Sequence, residues 1–208
     1  MSLPVAHALI GGALLATFRP SLDFCPPRVA LAAAMILPIV PDFDFALVWL
    51  GGLPVTVWHR TFSHSLIFSA AMGLLAAVWV RRRGVGTPRA AFWFVATLVL
   101  SHALVDMCGH GHGIPGRGVT LFWPFWQKFV AFPWQFLPPG RHGQPEVYLR
   151  TAVLEFALLA PIAWLYVRAL RSWRARRPQP VSGEVTAPSS ETTRADAPSP
   201  AVSVPTNF

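Results

Sequence analysis

The chain has 208 residues, of which 53% are hydrophobic and 12% charged, and its mean hydropathy is +0.46. This composition is far from that of an ordinary soluble domain and indicates a membrane protein. The formal charge of +8 does not indicate nucleic-acid binding, because the basic residues form short clusters beside apolar runs. Since Cys25 and Cys108 are the two cysteines, neither a disulfide framework nor a cysteine-rich zinc site is available.

Five apolar runs predict the helices: residues 3–18, 29–50, 65–80, 90–108 and 152–167. The stretches SLIFSAAMGLLAAVWV and AAFWFVATLVL are apolar around every helical face, which favours membrane helices. Several runs are shorter than the roughly 20 residues that cross the hydrocarbon, so a soluble helical core is the alternative. We expect an all-α integral membrane bundle of about five helices, with the second run broken by Pro38 and Pro41.

The chain changes character after residue 177, where PQPVSGEVTAPSSETTRADAPSPAVSVPTNF has no apolar periodicity. A segment rich in Pro, Ser, Thr and Ala is typical of disorder. We therefore expect a membrane domain over residues 1–177 and a disordered cytoplasmic tail over residues 178–208.

The basic residues predict the orientation in the membrane. Eleven lie between runs one and two, between runs three and four, or after run five: Arg19, Arg28, Arg81, Arg82, Arg83, Arg89, Arg168, Arg171, Arg174, Arg176 and Arg177. The opposite connections hold five: Arg60, Arg117, Lys128, Arg141 and Arg150. Because cytoplasmic loops near spans are enriched in Lys and Arg, the N-terminus is predicted outside and the C-terminus inside.

The rare polar residues of the runs fall at the face opposite the arginine clusters. They are His7, Asp42, Asp44, His59, His64, His102 and Asp106. Ionisable groups near hydrocarbon are energetically costly and usually functional. Their common level predicts one site, toward the extracytoplasmic face.

The spacing of these residues fits metal ligation, although each motif also has an ordinary structural interpretation. In SHALVD, His102 and Asp106 are four residues apart and share a helix face. The same spacing also suits a hydrogen-bonded pair that needs no metal. In PDFD two carboxylates flank one residue, as in an Asp-rich turn. In HRTFSHS, Thr61 or Ser63 is the predicted N-cap, which places His64 in a first turn where the helix dipole keeps imidazole neutral.

Taken together, an N-terminal histidine, LPIVPDFD, HRTFSHS, SHALVD and GVTLFWPF resemble the YdjM-type family of membrane-bound, metal-dependent hydrolases of bacterial inner membranes. The resemblance covers about residues 1–125 and implies an inner-membrane protein with hydrolase activity. It implies the same polar set, from His7 to Asp106, as the family's functional residues. The chain departs from the family pattern in the insertion CGHGHGIPGRG, between Asp106 and Val119.

A mixed imidazole and carboxylate set favours Zn, with Mn or Fe as further candidates, over Mg or Ca. Four imidazoles and three carboxylates can serve one or two ions. A bound metal lowers the pKa of water to about 7, so no Ser or Cys nucleophile is needed. We expect Arg60 to hold an anionic group and Asp44 to act as general base.

Other features surround this site. His110 and His112 are expected to be loop residues rather than ligands, and Cys108 an inert thiol. The aromatic stretch over residues 121–136 is typical of an interfacial belt and is also suited to an acyl chain. Glu155 is expected to satisfy a neighbouring helix or to line the cavity.

These observations predict a metal-dependent hydrolase acting on a lipid or lipid-linked phosphoester, with membrane lipid as its partner. An ester or amide of a lipid fits almost as well. The alternative from another class is a non-catalytic membrane protein with a structural metal site or a polar cluster for a partner or transport path. A transporter typically shows internal repeats and helices broken near the membrane centre, whereas these polar residues lie toward one face.

Overall fold

The computed structural model describes residues 3–22, 24–109, 117–137 and 145–177, with the backbone alone at residues 55 and 56. In these ranges it contains seven α-helices: α1 Pro4–Phe18, α2 Pro27–Ile36, α3 Asp44–Leu50, α4 Val55–Trp58, α5 Leu66–Arg83, α6 Pro88–Met107 and α7 Pro145–Ala175. Three 3-10 segments cover Arg19–Ser21, Leu37–Phe43 and Phe62–His64. The expected all-α class is confirmed. The expected tail, together with His110 and His112, lies outside the described residues.

The five apolar runs correspond to α1, the α2–α3 segment, α5, α6 and α7. By length and composition, three segments within the described ranges are able to cross a bilayer: Pro27–Leu50, Pro88–Met107 and Pro145–Ala175. Helix α1 has 15 residues and α5 has 18, of which the last three are arginines, so these two helices complete the bundle but are short for a full span. Helix α7 is longer than the expected run, at 31 residues.

The outer surface of the bundle is apolar. Large hydrophobic side chains such as Trp49, Leu75, Phe156 and Trp164 are exposed along it. An apolar patch of this extent marks contact with a membrane or a partner. This surface agrees with the membrane bundle expected from the sequence.

Prolines divide the second run where the sequence predicted a break. Residues Leu37–Phe43 form a 3-10 segment that contains Pro38 and Pro41. In a 3-10 helix the N–H of residue 41 would bond the carbonyl of residue 38, but proline has no N–H. The Pro38 carbonyl is therefore available to another partner, and it faces α6.

The helices pack closely at two glycines. A Cβ at Gly11 of α1 would lie 1.8 Å from the Ala34 carbonyl oxygen of α2, and one at Gly73 of α5 would lie 2.8 Å from the Phe92 carbonyl oxygen of α6. Small residues permit such close backbone approach in membrane bundles. Helix α5 ends at Gly84, whose φ of 64° is the left-handed conformation that suits glycine.

Helix α7 is bonded to both ends of α1. The Leu3 N–H donates to both carboxylate oxygens of the buried Glu155, at 2.8 and 3.0 Å. Arg174 donates to the carbonyl oxygens of Ala16 and Thr17 at 2.7 and 2.9 Å. Glu155 thus satisfies a neighbouring helix, which is one of the two roles expected for it.

The bundle has two chemically different ends. We call the arginine end the one where α1, α5 and α7 finish and α2 and α6 begin; its arginines include Arg19, Arg28, Arg81, Arg82, Arg83, Arg89, Arg168, Arg171 and Arg174. We call the histidine end the opposite one; it carries His7, Asp42, Asp44, His59, His64, His102 and Asp106. The separation of the two sets follows the prediction from the sequence.

Candidate metal centre

Four side chains form the centre of the histidine end: Asp42, His64, His102 and Asp106. Asp42 comes from the proline-containing 3-10 segment, His64 from the turn before α5, and the other two from successive turns of α6. One ligand atom from each lies within 4.8 Å of every other. We call these residues the four-residue group. They offer two imidazole nitrogens and two carboxylate oxygens, a donor set suited to Zn²⁺.

The ring of His102 has a defined tautomer. Its Nδ1 lies 2.6 Å from the Pro38 carbonyl oxygen, and a carbonyl only accepts hydrogen bonds. Nδ1 therefore carries the hydrogen, so the Nε2 of a neutral His102 carries a lone pair. The proline break in the second run thus sets which His102 nitrogen is available to a metal.

The ring of His64 is fixed in the same way by Ser63. The Ser63 hydroxyl donates to Asp44 Oδ2 at 2.6 Å, and its oxygen lies 2.9 Å from His64 Nδ1. Since the one hydroxyl hydrogen is used on Asp44, His64 Nδ1 must donate to Ser63. The Nε2 of a neutral His64 therefore also carries a lone pair.

The expected N-cap of α5 is wrong. The cap is Ser65, whose hydroxyl oxygen accepts from the Phe68 N–H at 3.1 Å, and His64 precedes the helix. Neither Thr61 nor Ser63 was available as a cap, because the Ser63 hydroxyl bonds Asp44 and the Thr61 hydroxyl donates to the Trp58 carbonyl.

His64 lies outside the three candidate spans, and burial lowers its pKa from 6.5 to about 4, so its ring is neutral at neutral pH.

The two Nε2 atoms face each other at 2.9 Å. When both rings are neutral, two lone pairs at that distance repel unless a proton or a metal cation lies between or beside them. Asp42 Oδ1 is 3.3 Å from His102 Nε2, and Asp106 Oδ2 is 3.5 Å from His64 Nε2. Asp42 Oδ1 is buried and makes no hydrogen bond with the described residues. The donor atoms therefore converge on a point that requires positive charge, and they fit a divalent metal.

The net charge around this point gives the same conclusion. Three carboxylates, Asp42, Asp44 and Asp106, and one guanidinium, Arg60, lie in the cluster. With neutral histidines, this set leaves two negative charges. Uncompensated charge in a protein interior is energetically costly, and one divalent cation would neutralise it.

Arg60 lies in the connection between α4 and α5, as predicted, and its side chain is turned into the protein interior. Its side chain is fully buried, and Nη2 is 2.9 Å from Asp106 Oδ2. Its φ of 69° is in the left-handed region, which is uncommon for a side chain of this size. The guanidinium thus faces a member of the four-residue group rather than solvent. Its role as an anion holder stays a prediction.

His7, His59 and Asp44 lie next to the four-residue group. His7 stacks on the ring of His102, with centroids 4.0 Å apart, and its Nε2 is 3.8 Å from Asp106 Oδ1. His59 donates from Nδ1 to Asp44 Oδ1 at 2.7 Å, and its Nε2 is 3.9 Å from Asp42 Oδ1. All seven residues predicted as ligands thus meet at one end, four of them as the central set.

The segment after residue 117 covers the HRTFSHS turn. The Thr120 N–H donates to the Arg60 carbonyl at 3.0 Å, and the Leu66 N–H donates to the Leu121 carbonyl at 3.0 Å. A pocket of about 490 Å³ opens beside this contact, lined in part by Trp58, Trp123 and Phe129. The aromatic stretch therefore contacts the HRTFSHS turn, and its role as an interfacial belt stays a prediction.

Two positioning contacts were absent from the sequence-based prediction: the Ser63 hydroxyl and the Pro38 carbonyl. Ser63 directly precedes His64, but its residue type predicted a cap. Nothing in the sequence distinguishes the Pro38 carbonyl except Pro41, whose missing N–H leaves that carbonyl without its 3-10 donor.

Cys108 Sγ donates to the Leu104 carbonyl at 3.5 Å, and burial raises its thiol pKa, which agrees with an inert thiol.

The fold and the site together define a helical membrane protein with a buried histidine and aspartate cluster at one end. The sequence profile of the YdjM inner membrane protein family matches residues 1–175, and the chain belongs to that family.

A curated relative is the inner membrane protein YbcI of Escherichia coli (strain K12), which is 35% identical over 114 residues. The alignment covers 54% of this chain and 62% of YbcI, which is less than two thirds of the relative. No solved structure matches the chain significantly. Membership in an inner-membrane family and the helices able to span a bilayer support location in the inner membrane.

Proposed function

We propose that the protein is a metal-dependent hydrolase of the inner membrane, with Asp42, His64, His102 and Asp106 as the metal ligands. The observation that carries this proposal is the pair of Nε2 atoms 2.9 Å apart, each with its Nδ1 committed as a hydrogen-bond donor. Zn²⁺ is the first candidate because the set combines imidazole and carboxylate, with Mn or Fe next. A bound divalent metal would supply Lewis acidity and activate water.

The surrounding residues would hold this centre in shape. Asp44 accepts from both His59 and Ser63, so we assign it a positioning role beside the general-base role predicted from the sequence. Arg60 would keep Asp106 ionised and oriented through their 2.9 Å contact. Interactions of this kind typically change metal affinity or activity by about 10–100-fold.

Asp42 marks the side from which water and substrate would enter. Its side chain is 19% exposed, whereas those of His64, His102 and Asp106 are at most 1% exposed. Asp42 Oδ1 faces the imidazoles and lies 3.3 Å from His102 Nε2. His59 Nε2, at 3.9 Å from Asp42 Oδ1, is placed to join a second ion if two bind.

The proposed substrate is an amphiphile, and a lipid or lipid-linked phosphoester is favoured narrowly over a lipid ester or amide. The pocket beside the HRTFSHS turn is lined in part by three aromatic rings, which suits a chain that stays in the lipid. A phosphate would bring negative charge toward the metal. We propose that the site faces the extracytoplasmic side, because the larger arginine set lies at the other end.

The test is hydrolysis by metal-loaded protein of a panel of phospholipids, polyprenyl phosphates and lipid esters. We expect turnover of at least one phosphoester, with loss of turnover on chelation and in Asp42→Ala and His64→Ala. The matched control is Glu146→Ala, which removes an exposed carboxylate from the first turn of α7. Equal turnover in the two site variants would assign the activity to a contaminant.

A second candidate is a non-catalytic metal site that stabilises the bundle. The observation in its favour is the burial of three of the four proposed ligands, since structural sites are closed and catalytic sites keep an open position. No turnover of any panel member by folded, metal-replete protein would favour this candidate.

A further inference from the structure

A pocket of about 500 Å³ lies at the arginine end, where α1 finishes and α6 begins. It is separate from the histidine end and plays no part in the proposed hydrolysis. Three polar side chains line it, Ser21, Thr87 and Arg89, together with the aromatic rings of Phe18 and Trp93. The described residues that line it include no carboxylate.

No described residue bonds the polar side chains that line this pocket. Within the described part of the chain, the side chains of Ser21, Thr87 and Arg89 make neither a hydrogen bond nor an ion pair with protein. Thr87 occupies the N-cap of α6, yet its hydroxyl does not make the usual capping bond. By contrast, the nearby Arg19 is committed to the carbonyl oxygens of Leu22 and Cys25.

The residues around this pocket are of the types found at the depth of lipid headgroups. Phe18 is the last residue of the apolar α1, and Trp93 is exposed in the second turn of α6. Two arginines at the same end lie over tryptophan rings, Arg83 over Trp79 and Arg168 over Trp164. Tryptophan beside Arg or Lys is typical of the boundary between hydrocarbon and headgroups.

We propose that this pocket binds the headgroup phosphate of an anionic phospholipid in the leaflet that faces the arginine end. Arg89 pairs with the phosphate, and the hydroxyls of Ser21 and Thr87 donate to its oxygens. Phe18 and Trp93 contact the glycerol and the start of the acyl chains. A zwitterionic lipid binds less well, because its ammonium group would meet the arginines of this end, with no carboxylate among the described lining residues.

The test is native mass spectrometry of the full chain in detergent, titrated with phosphatidylglycerol or with phosphatidylcholine. We expect one tightly bound phosphatidylglycerol and weaker phosphatidylcholine binding. Arg89→Gln should weaken phosphatidylglycerol binding about tenfold, as expected for loss of one charge-assisted hydrogen bond. Thr87→Val should weaken it by a smaller factor without removing a cap bond. Arg82→Gln, at the end of α5 and outside the pocket, is the matched control and should bind as the wild type does.

Three results would overturn the proposal. Equal weakening by Arg82→Gln and Arg89→Gln would mean general attraction to the arginine end. Equal binding of phosphatidylcholine would remove the argument from charge. Displacement of the lipid by millimolar inorganic phosphate would identify a site for a soluble anion. Because the pocket shares no residue with the metal centre, these outcomes do not depend on hydrolase activity.

Discussion

The two ends of the bundle handle charge in opposite ways. At the histidine end, Asp44, Arg60 and Asp106 are buried, and each is paired with another polar group of the protein. At the arginine end, most charged side chains are exposed, as at Arg82 and Arg89. A charge in an apolar interior needs a partner, whereas a charge at the headgroup level is solvated. The two ends therefore stabilise charge differently, by buried pairing at the histidine end and by exposure at the arginine end.

The largest expected effect is an all-or-none difference in labelling between the ends. Val85→Cys, in the turn after α5, and Leu53→Cys, in the turn after α3, are both exposed positions. In a background lacking Cys25 and Cys108, an impermeant thiol reagent added to intact cells should modify Leu53→Cys alone. Modification of both from the same side would contradict the proposed orientation, and disruption of the membrane, which should expose both thiols, is the control.

The next effect concerns the buried ion pair. Asp106→Ala should destabilise the protein by about 3–5 kcal/mol, because it leaves the Arg60 guanidinium buried without its carboxylate. The free energy of unfolding in mixed micelles measures this. Arg82→Ala, at the arginine end, should stay within about 0.5 kcal/mol of the wild type. Similar values for the two variants would remove the contrast between the ends.

Helix packing between the two ends gives a smaller expected effect on stability, and the neighbouring glycines Gly11 and Gly12 of α1 provide a test variant and its control. Gly11→Ala should cost about 1–3 kcal/mol, because the new Cβ would lie 1.8 Å from the Ala34 carbonyl oxygen. Gly12→Ala meets nothing within 4 Å and should be neutral or stabilising by up to about 1 kcal/mol. Thermal unfolding of the two variants side by side measures the difference. A Gly12 variant as unstable as the Gly11 variant would show that α1 is packed differently.

The last expected effect is on metal affinity and belongs to Ser63→Ala. This change removes the hydroxyl that accepts from His64 Nδ1, so the tautomer that directs a lone pair toward the centre is less favoured. Metal affinity should fall about 10–100-fold, measured by competition with a chelating dye. Ser69→Ala, which removes a hydroxyl bonded only to the Ser65 carbonyl among the described residues, should keep the wild-type affinity. Unchanged affinity in Ser63→Ala would show that Ser63 does not position His64.

The helices and the separation of the two ends were predictable from the sequence because apolar runs and arginine clusters are local patterns. The grouping of the seven polar residues was predictable because all of them lie at or near the ends of the apolar runs that are opposite the arginine clusters. The N-cap of α5 was not predictable from the sequence. Its three candidates are all hydroxyl residues, Thr61, Ser63 and Ser65, and tertiary contacts decide which hydroxyl is free to cap the helix. Burial of the Arg60 side chain was not predictable either, because it depends on the carboxylate and the backbone carbonyl of Asp106, 46 positions away in the chain.

The central claim is that the facing imidazoles of His64 and His102 hold a metal. Elemental analysis with X-ray absorption at the metal edge, on protein purified in detergent without chelators, tests it most directly. We expect about one Zn per chain or more, with nitrogen and oxygen ligands at about 2.0–2.2 Å. His64→Ala should lose the metal, whereas Glu146→Ala should retain it. A folded wild-type protein that binds no Zn, Mn or Fe even after metal is added would contradict the claim and would mean that the two Nε2 atoms share a proton instead.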